Sequence, residues 1–258
     1  MTSWSAPDEA VATTVADLQA AISDTLGVDL VGLYLTGSLV VGDFDPGLSD
    51  IDCVAITGQL SAEQVDALGT MHERFAAAHP EWQNRIEVAY VTSDDIRNFR
   101  TVEPSFPVIS PGEPFHLRHE PLNDWADHWY LLLAQHVVLA GRPAEEVFPE
   151  VSRDEFFQGV LRYIRELEER ARRDVSPGNE SYIVLTACRA LHCLEVGTQT
   201  SKRAAGIWMQ DAHPEWSPLI ERALEWRYIG PRDRHAALPE THELLRFVEA
   251  RLASANDS

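Results

Sequence analysis

Hydrophobic residues follow two spacings in the first part of the chain, and the two spacings alternate. Short apolar runs, which favour strands, are separated by segments in which apolar residues recur every three or four positions, as on one face of a helix. The pattern predicts strands over 30–35, 51–56 and 85–91 and helices over 7–26 and 61–79, with a short helix near Ser93. Such alternation is typical of an α/β fold.

The pattern changes after residue 100. Residues 101–123 contain five prolines and little periodicity, so we expect an irregular connection with one possible short strand at 115–118. Helical spacing then dominates and predicts helices over 125–139, 155–173, 182–195, 201–211, 216–228 and 240–252. We therefore expect two domains, an α/β domain over 1–150 and an all-α helical bundle over 151–258.

Two carboxylates stand one residue apart where the second predicted strand begins. Asp50 and Asp52 would project from the same face, because side chains alternate along a strand. Like charges this close are costly without a cation between them, and Mg²⁺ is the usual partner of a carboxylate cluster. Gly37 and Ser38 form a tight turn after the first strand, and such a turn offers N–H groups and a hydroxyl that suit a phosphate.

A third carboxylate lies in the next predicted strand. Glu87 alternates there with β-branched and apolar residues, and an unpaired charge in a buried strand is expensive. Metal coordination or general-base work on an acceptor hydroxyl would explain it. The ordinary alternatives are a solvent-facing Glu87 on an edge strand and a solvated Asp-rich turn. Metal, phosphate and carboxylates together favour nucleotidyl transfer.

Composition narrows the class of partner. The 258 residues are 45% hydrophobic and 24% charged, as in an ordinary globular protein. With 21 basic and 41 acidic residues the net charge is −20, which repels nucleic acid and attracts a small cationic substrate. No apolar run is long enough to span a membrane, the N-terminus lacks a signal sequence, and the three cysteines suit a reducing compartment. We expect a cytoplasmic monomer with no nucleic-acid or membrane partner.

Two basic residues of the helical half are candidate phosphate ligands. Arg189 stands on an otherwise apolar helix, and Lys202 stands in the first turn of the next one, where the helix dipole disfavours a cation. A bound anion would explain Lys202, whereas an ordinary lysine there would face solvent. The alternative for Arg189 is an ion pair with Glu180 or Glu195.

Together these residues identify a family that the chain resembles. The sequence is similar over nearly its whole length to aminoglycoside 3″-adenylyltransferases of the streptomycin/spectinomycin type, in the nucleotidyltransferase superfamily. The matching residues are Thr36-Gly-Ser38, Ser49-Asp-Ile-Asp52, Glu87, Val184-Leu-Thr-Ala-Cys-Arg189, Gly197, Ser201-Lys202, Ala204-Ala205, Trp208 and Glu225-Trp-Arg-Tyr-Ile-Gly230.

The resemblance implies a polymerase β-like nucleotidyltransferase domain followed by a helical adenylyltransferase-associated domain. It implies that AMP passes from ATP to a hydroxyl of spectinomycin, streptomycin or both, with release of pyrophosphate and help from two Mg²⁺ ions. Three alternatives stay open: the acceptor is another small hydroxylated molecule, the acceptor is a protein, or the chain is a non-catalytic regulatory module that binds nucleotide.

The resemblance also implies a role for each candidate residue. Asp50 and Asp52 would hold the metals, and Glu87 would act as catalytic base beside them. The remaining residues would contact the nucleotide or line its cleft, namely Gly37, Ser38 and Ser49 at the phosphates, Arg189 and Lys202 at the triphosphate, Tyr228 at the adenine or ribose, and Asp124 at the cleft wall.

Overall fold

Two compact units divide the chain, Met1–Val151 and Ser152–Ser258. The computed structural model describes residues 6–173, 175–229 and 234–256, so that Gly230, the last residue of the family motif, lies outside the described residues. Within these ranges every strand belongs to the first unit and the second unit is helical. The α/β and all-α halves that the hydrophobic spacing predicts are therefore present. None of the helices in these ranges has both the length and the apolar character that crossing a membrane requires.

A six-stranded mixed sheet organises the N-terminal unit. Its order is β5-β4-β3-β2-β1-β6; β2 and β3 run parallel, and the other neighbours run antiparallel. The strands are β1 Leu30–Leu35, β2 Ile51–Thr57, β3 Ile86–Thr92, β4 Ser105–Ser110, β5 Glu113–His119 and β6 Val137–Gly141.

Helices cover both faces of this sheet. They are α1 Glu9–Leu26, α2 Ser38–Val41, α3 Ala62–Ala78, α4 Ser93–Arg97, α5 Ala126–Ala134 and α6 Ala144–Val147. Asp8 caps α1 by accepting a bond from the Val11 N–H at 2.8 Å, and Ser61 with Gln64 forms the capping box that begins α3. These signals are local in the sequence, which is why both helices begin within a few residues of their predicted starts.

Successive side chains of β2 and β3 point to opposite faces of the sheet, so the core of this unit consists of two clusters. Cys53 and Val88 belong to the cluster under α1 and α3, whereas Val54 and Ala89 belong to the cluster under α5. Strands buried on both faces appear as continuous apolar runs, and β1, β2 and β3 were predictable for that reason. The polar Asp52 and Glu87 interrupt these runs at the second residue of their strands.

Two strands, β4 and β6, depart from the sequence prediction, whereas β5 contains the short strand predicted at 115–118. The helix predicted over 125–139 is wrong in its last turns, because α5 ends at Ala134 and residues 137–141 form β6 against β1. An apolar run such as Val137-Val138-Leu139 fits a helix or a strand equally, and the open edge of β1 decides between them. The predicted irregular connection contains the β4–β5 hairpin, whose turn includes Gly112 at φ +79°, and the prolines concealed it.

Five helices build the C-terminal unit, and one of them is central. They are α7 Arg153–Ala171, α8 Pro177–Val196, α9 Lys202–Ala212, α10 Ser217–Trp226 and α11 Pro239–Asn256. α8 is buried on most of its surface and carries polar anchors. The Ser181 hydroxyl donates to the Ala223 carbonyl at 2.6 Å, and buried Glu180 accepts from the Thr241 hydroxyl at 2.6 Å and the Leu238 N–H at 2.7 Å.

A buried histidine links α3 to the sheet. The His72 Nε2 atom lies 2.7 Å from the Tyr90 hydroxyl, the ring stacks on Phe115, and the residue is 3% exposed. Burial lowers the pKa of His72 from its ordinary 6.5 to about 4, so the imidazole is neutral in the folded protein at neutral pH.

His72 should make the N-terminal unit sensitive to acid. Between pH 6.5 and 4 the unfolded chain binds a proton at this histidine that the folded chain does not, so stability is lost as the pH falls through that window. The contribution is about 3 kcal/mol. Urea denaturation at stepped pH should show a shallower acid loss for His72→Gln than for the unsubstituted protein. Parallel curves would contradict this assignment.

Candidate active site

Three carboxylates converge at one end of β2 and β3. One oxygen from each of Asp50, Asp52 and Glu87 lies within 4.8 Å of the other two, and all three residues are half-buried. Asp52 and Glu87 are direct partners in the parallel register, and Asp50 immediately precedes β2. The convergence expected from the spacing of these acids is present in the structure.

Backbone hydrogen bonds fix the strand ends around this cluster. The Ile51 N–H donates to the Arg85 carbonyl at 2.9 Å, which sets the register where β2 and β3 begin. On the other side, the Thr36 N–H donates to the Asp52 carbonyl at 2.9 Å and ties the end of β1 to β2. The chain then turns at Gly37, which is therefore adjacent to Asp52.

Gly37 is required by this geometry. Its φ of +68° with ψ of −152° lies in a region that residues with a Cβ rarely adopt. A Cβ placed on it would lie 1.8 Å from Asp52 Oδ2 and 2.7 Å from Asp52 Cγ. Only a glycine lets the turn approach the carboxylate this closely.

Ser38 places a hydroxyl beside that turn. Its Oγ is buried and has no hydrogen-bond partner in the part of the chain that the structure describes. Ser38 begins α2, and the Gln135 side chain holds that short helix by donating to the Val40 carbonyl at 2.9 Å. The sequence does not reveal Gln135, because its contact spans 95 residues.

Ser49 is buried in the loop that leads to Asp50. Its hydroxyl accepts a bond from the Asp45 N–H at 3.0 Å, and its own N–H donates to the Asp45 carbonyl at 2.8 Å. Its carbonyl accepts from the Arg85 guanidinium. These bonds shape the loop, and a contact between Ser49 and a nucleotide phosphate stays a prediction.

The donor set suits a hard divalent cation. Such ions prefer carboxylate oxygens, and three carboxylates this close repel one another unless positive charge offsets them. The unpartnered Ser38 hydroxyl suits a phosphate oxygen near the same point.

Asp124 is not a member of the carboxylate cluster that the described residues form. It is half-buried and lies on the short turn Leu122–Trp125. Its place at a cleft stays a prediction.

In the C-terminal unit, Arg189 is half-buried on α8. The alternative of an ion pair with Glu180 or Glu195 is wrong for the residues that the structure describes. Glu180 accepts the two bonds described above through Oε1, and its Oε2 lies 3.7 Å from His235 Nδ1. Glu195 contacts Arg251 at 2.6 Å and His213 at 3.3 Å. A cation on an apolar helix whose neighbouring acids are occupied is a better candidate for an anionic ligand.

Lys202 begins α9 and lies on an aromatic side chain. Its Nζ is 4.1 Å from the centre of the Tyr182 ring, and the Tyr182 hydroxyl is 2.5 Å from that of Tyr163. Burial, followed by the neighbouring Tyr182, raises the pKa of Tyr163. Lys202 is also the only lysine among the 21 basic residues, a signal that sequence reasoning missed.

Tyr228 is 60% exposed and lies beyond the end of α10. Its contact with the nucleotide stays a prediction.

Comparisons with known proteins agree with the architecture. Residues 146–254 match the family model "Aminoglycoside adenylyltransferase, C-terminal domain". The fold is similar to that of spectinomycin adenyltransferase AAD(9) from Enterococcus faecialis, solved with ATP and spectinomycin. The TM-score is 0.72 at 17% identity, over 94% of this chain and 99% of that one. No curated protein sequence matches significantly. The family model begins at residue 146 and therefore does not include the carboxylate cluster. The assignment of that cluster as a candidate site rests on its geometry.

Gly37→Ala should weaken metal binding through Asp52. The added methyl group forces the carboxylate away from the cluster, and the strained φ costs about 1–3 kcal/mol of stability as well. Mn²⁺ affinity, measured by electron paramagnetic resonance without nucleotide, should fall by about tenfold or more.

Gly42→Ala is the matched control for Gly37→Ala. Gly42 also has a positive φ, +77°, but an added Cβ meets no atom within 4 Å. It should lose stability and keep its Mn²⁺ affinity. Equal affinities in the two variants would show that the approach of Gly37 to Asp52 does not matter.

Proposed function

We propose that this chain is an aminoglycoside adenylyltransferase, the family whose C-terminal domain model matches residues 146–254, and that it transfers AMP from ATP to a hydroxyl of an aminoglycoside or aminocyclitol. The proposal includes a polymerase β-like N-terminal domain, two Mg²⁺ ions and release of pyrophosphate. Spectinomycin and streptomycin are the first acceptors to test, since AAD(9), which shares the fold, was solved with spectinomycin.

The carboxylate cluster is the observation that carries the proposal. Asp50, Asp52 and Glu87 bring three oxygens within 4.8 Å of one another. Divalent metal held there would neutralise charge on the triphosphate and on the attacking oxygen. Gly37 stands next to Asp52, and the orphaned hydroxyl of Ser38, the next residue, is the group that would donate to a phosphate oxygen.

Each residue then has one task in the transfer. Glu87 accepts the proton of the acceptor hydroxyl as its oxygen attacks the α-phosphorus of ATP. A new P–O bond forms, the bond between the α-phosphorus and the bridging oxygen breaks, and pyrophosphate leaves with the electron pair. Arg189 and Lys202 bind the triphosphate, and Tyr228 contacts the adenine or ribose.

Charge distribution supports a cationic acceptor. Residues 1–151 contain 24 acidic and 6 basic side chains, whereas residues 152–258 contain 17 acidic and 15 basic ones. The excess of negative charge thus belongs to the unit that carries Glu87. A polyamine drug would be attracted to such a surface, and a polyanion such as RNA would be repelled.

A pyrophosphate-release screen with purified protein, ATP and Mg²⁺ tests the function. Spectinomycin, streptomycin and other aminoglycosides serve as acceptors, and mass spectrometry identifies any adenylylated product. Release that depends on one of these drugs supports the proposal. Nucleotide binding without turnover on any acceptor would favour the regulatory module instead.

Glu87→Gln should separate binding from transfer. The amide keeps an oxygen near the metal but cannot accept a proton, so the transfer rate should fall by about 10² to 10⁴. Calorimetry should find the affinity for ATP with Mg²⁺ little changed. Glu103→Gln, on an exposed glutamate paired with His119, is the control and should keep full activity. Robust transfer by Glu87→Gln would refute its role as base.

The single lysine permits a chemical test of the triphosphate contact. An amine-directed ATP analogue, such as periodate-oxidised ATP, can modify only Lys202 and the chain's N-terminal amine. Excess ATP with Mg²⁺ should protect Lys202, and peptide mapping should show unprotected labelling at the N-terminus. Equal labelling of Lys202 with and without ATP would contradict its role.

A further inference from the structure

Arg85 holds both peptide groups that flank Asp50. Its guanidinium donates from Nε at 2.9 Å, and also from Nη2, to the carbonyl of Ser49 on one side of Asp50. Its own carbonyl accepts the N–H of Ile51, on the other side, at 2.9 Å. One residue thus restrains the two backbone torsions of Asp50.

This restraint matters most for Asp50 among the three acids. Asp52 and Glu87 lie inside paired strands, where the ladder sets their direction. Asp50 precedes β2, at the end of a loop in which the N–H groups of Leu48 and Ser49 donate to the Asp45 carbonyl. Without the Arg85 side chain, the carbonyl between Ser49 and Asp50 loses the donors that orient it.

Arg85 is itself held rigidly. Its guanidinium carbon lies 4.6 Å from the centre of the Trp82 ring, and Trp82 is 6% exposed in the core. Its N–H donates to the Trp82 carbonyl at 3.0 Å. Burial lowers the pKa of Arg85, while Asp50 and Asp45 raise it, so a charged guanidinium stands beside these acids.

We propose that Arg85 is a positioning residue that orients the Asp50 carboxylate for metal binding. The inference rests on the metal role proposed above for Asp50, and it does not depend on the acceptor. Two effects of Arg85 oppose each other, because its charge repels a metal ion while its hydrogen bonds orient a ligand. The two guanidinium bonds to the Ser49 carbonyl indicate that orientation dominates.

Mn²⁺ binding by the full chain, measured by electron paramagnetic resonance without nucleotide, tests the inference. Arg85→Gln should weaken Mn²⁺ binding by about tenfold, the size of effect typical of a residue that supports a metal ligand. Arg85→Lys keeps the charge but lacks the two-pronged donor. Its Mn²⁺ affinity should therefore lie between those of Arg85→Gln and the unsubstituted protein.

Arg100→Gln is the matched control for Arg85→Gln. Arg100 also stacks on an aromatic ring, with its guanidinium carbon 4.4 Å from the centre of Phe99, and donates to a backbone carbonyl, that of Glu150, at 2.7 Å. Glu150 is not a member of the carboxylate cluster, so the Mn²⁺ affinity of Arg100→Gln should match that of the unsubstituted protein.

A double-mutant cycle separates positioning from general loss of structure. If Arg85 acts through Asp50, Arg85→Gln should have little further effect on Mn²⁺ affinity in an Asp50→Asn background. An equal loss in both backgrounds, unchanged affinity in Arg85→Gln, or tighter binding would overturn the inference. If Arg85→Gln does not fold, Arg85→Lys decides by the same criteria.

Outcomes for the unsubstituted protein distinguish this inference from the proposed function. Failure to bind Mn²⁺ would refute the metal site and the role of Arg85 together. Mn²⁺ binding without AMP transfer to any acceptor would refute the proposed reaction alone, and the comparison of Arg85 variants would still decide the role of Arg85.

Discussion

Three carboxylates lie close together in the N-terminal unit, and their mutual repulsion is the constraint on which the candidate site depends. The register of β2 and β3 places Asp52 opposite Glu87, and Asp50 is held beside them, with their oxygens within 4.8 Å. Like charges this close repel one another, and a bound divalent cation would offset that repulsion. The arrangement therefore fits the metal-dependent transfer proposed above.

The surrounding structure keeps that site from relaxing. Two-sided burial of β2 and β3 fixes the strands, and a one-residue slip of either strand would move its acid to the other face of the sheet. Gly37 lets the turn after β1 contact Asp52, Gln135 holds the helix that follows the turn, and Arg85 restrains Asp50. Loss of any of these supports would leave the acids present but misdirected.

The sequence revealed the acids and the Gly37-Ser38 turn, but not the supports that Arg85 and Gln135 provide. Asp50 and Asp52 were predictable from their one-residue spacing at the start of a strand, Glu87 because a charge inside a buried strand needs an explanation, and the turn because glycine marks special backbone geometry. Arg85 and Gln135 act through contacts with Ser49 and Val40, and no local pattern records such pairs. The same limit explains why β6 was predicted as helix, since its apolar run fits either structure. It also explains why the ion-pair alternative for Arg189 stayed open, since that alternative depended on which groups Glu180 and Glu195 contact.

Anomalous X-ray diffraction from crystals grown with Mn²⁺ and a non-hydrolysable ATP analogue tests the central claim most directly. The account predicts manganese peaks bounded by the oxygens of Asp50, Asp52 and Glu87, with the analogue's phosphates beside Gly37 and Ser38. Manganese bound elsewhere, or a nucleotide bound with no metal among these carboxylates, would contradict it.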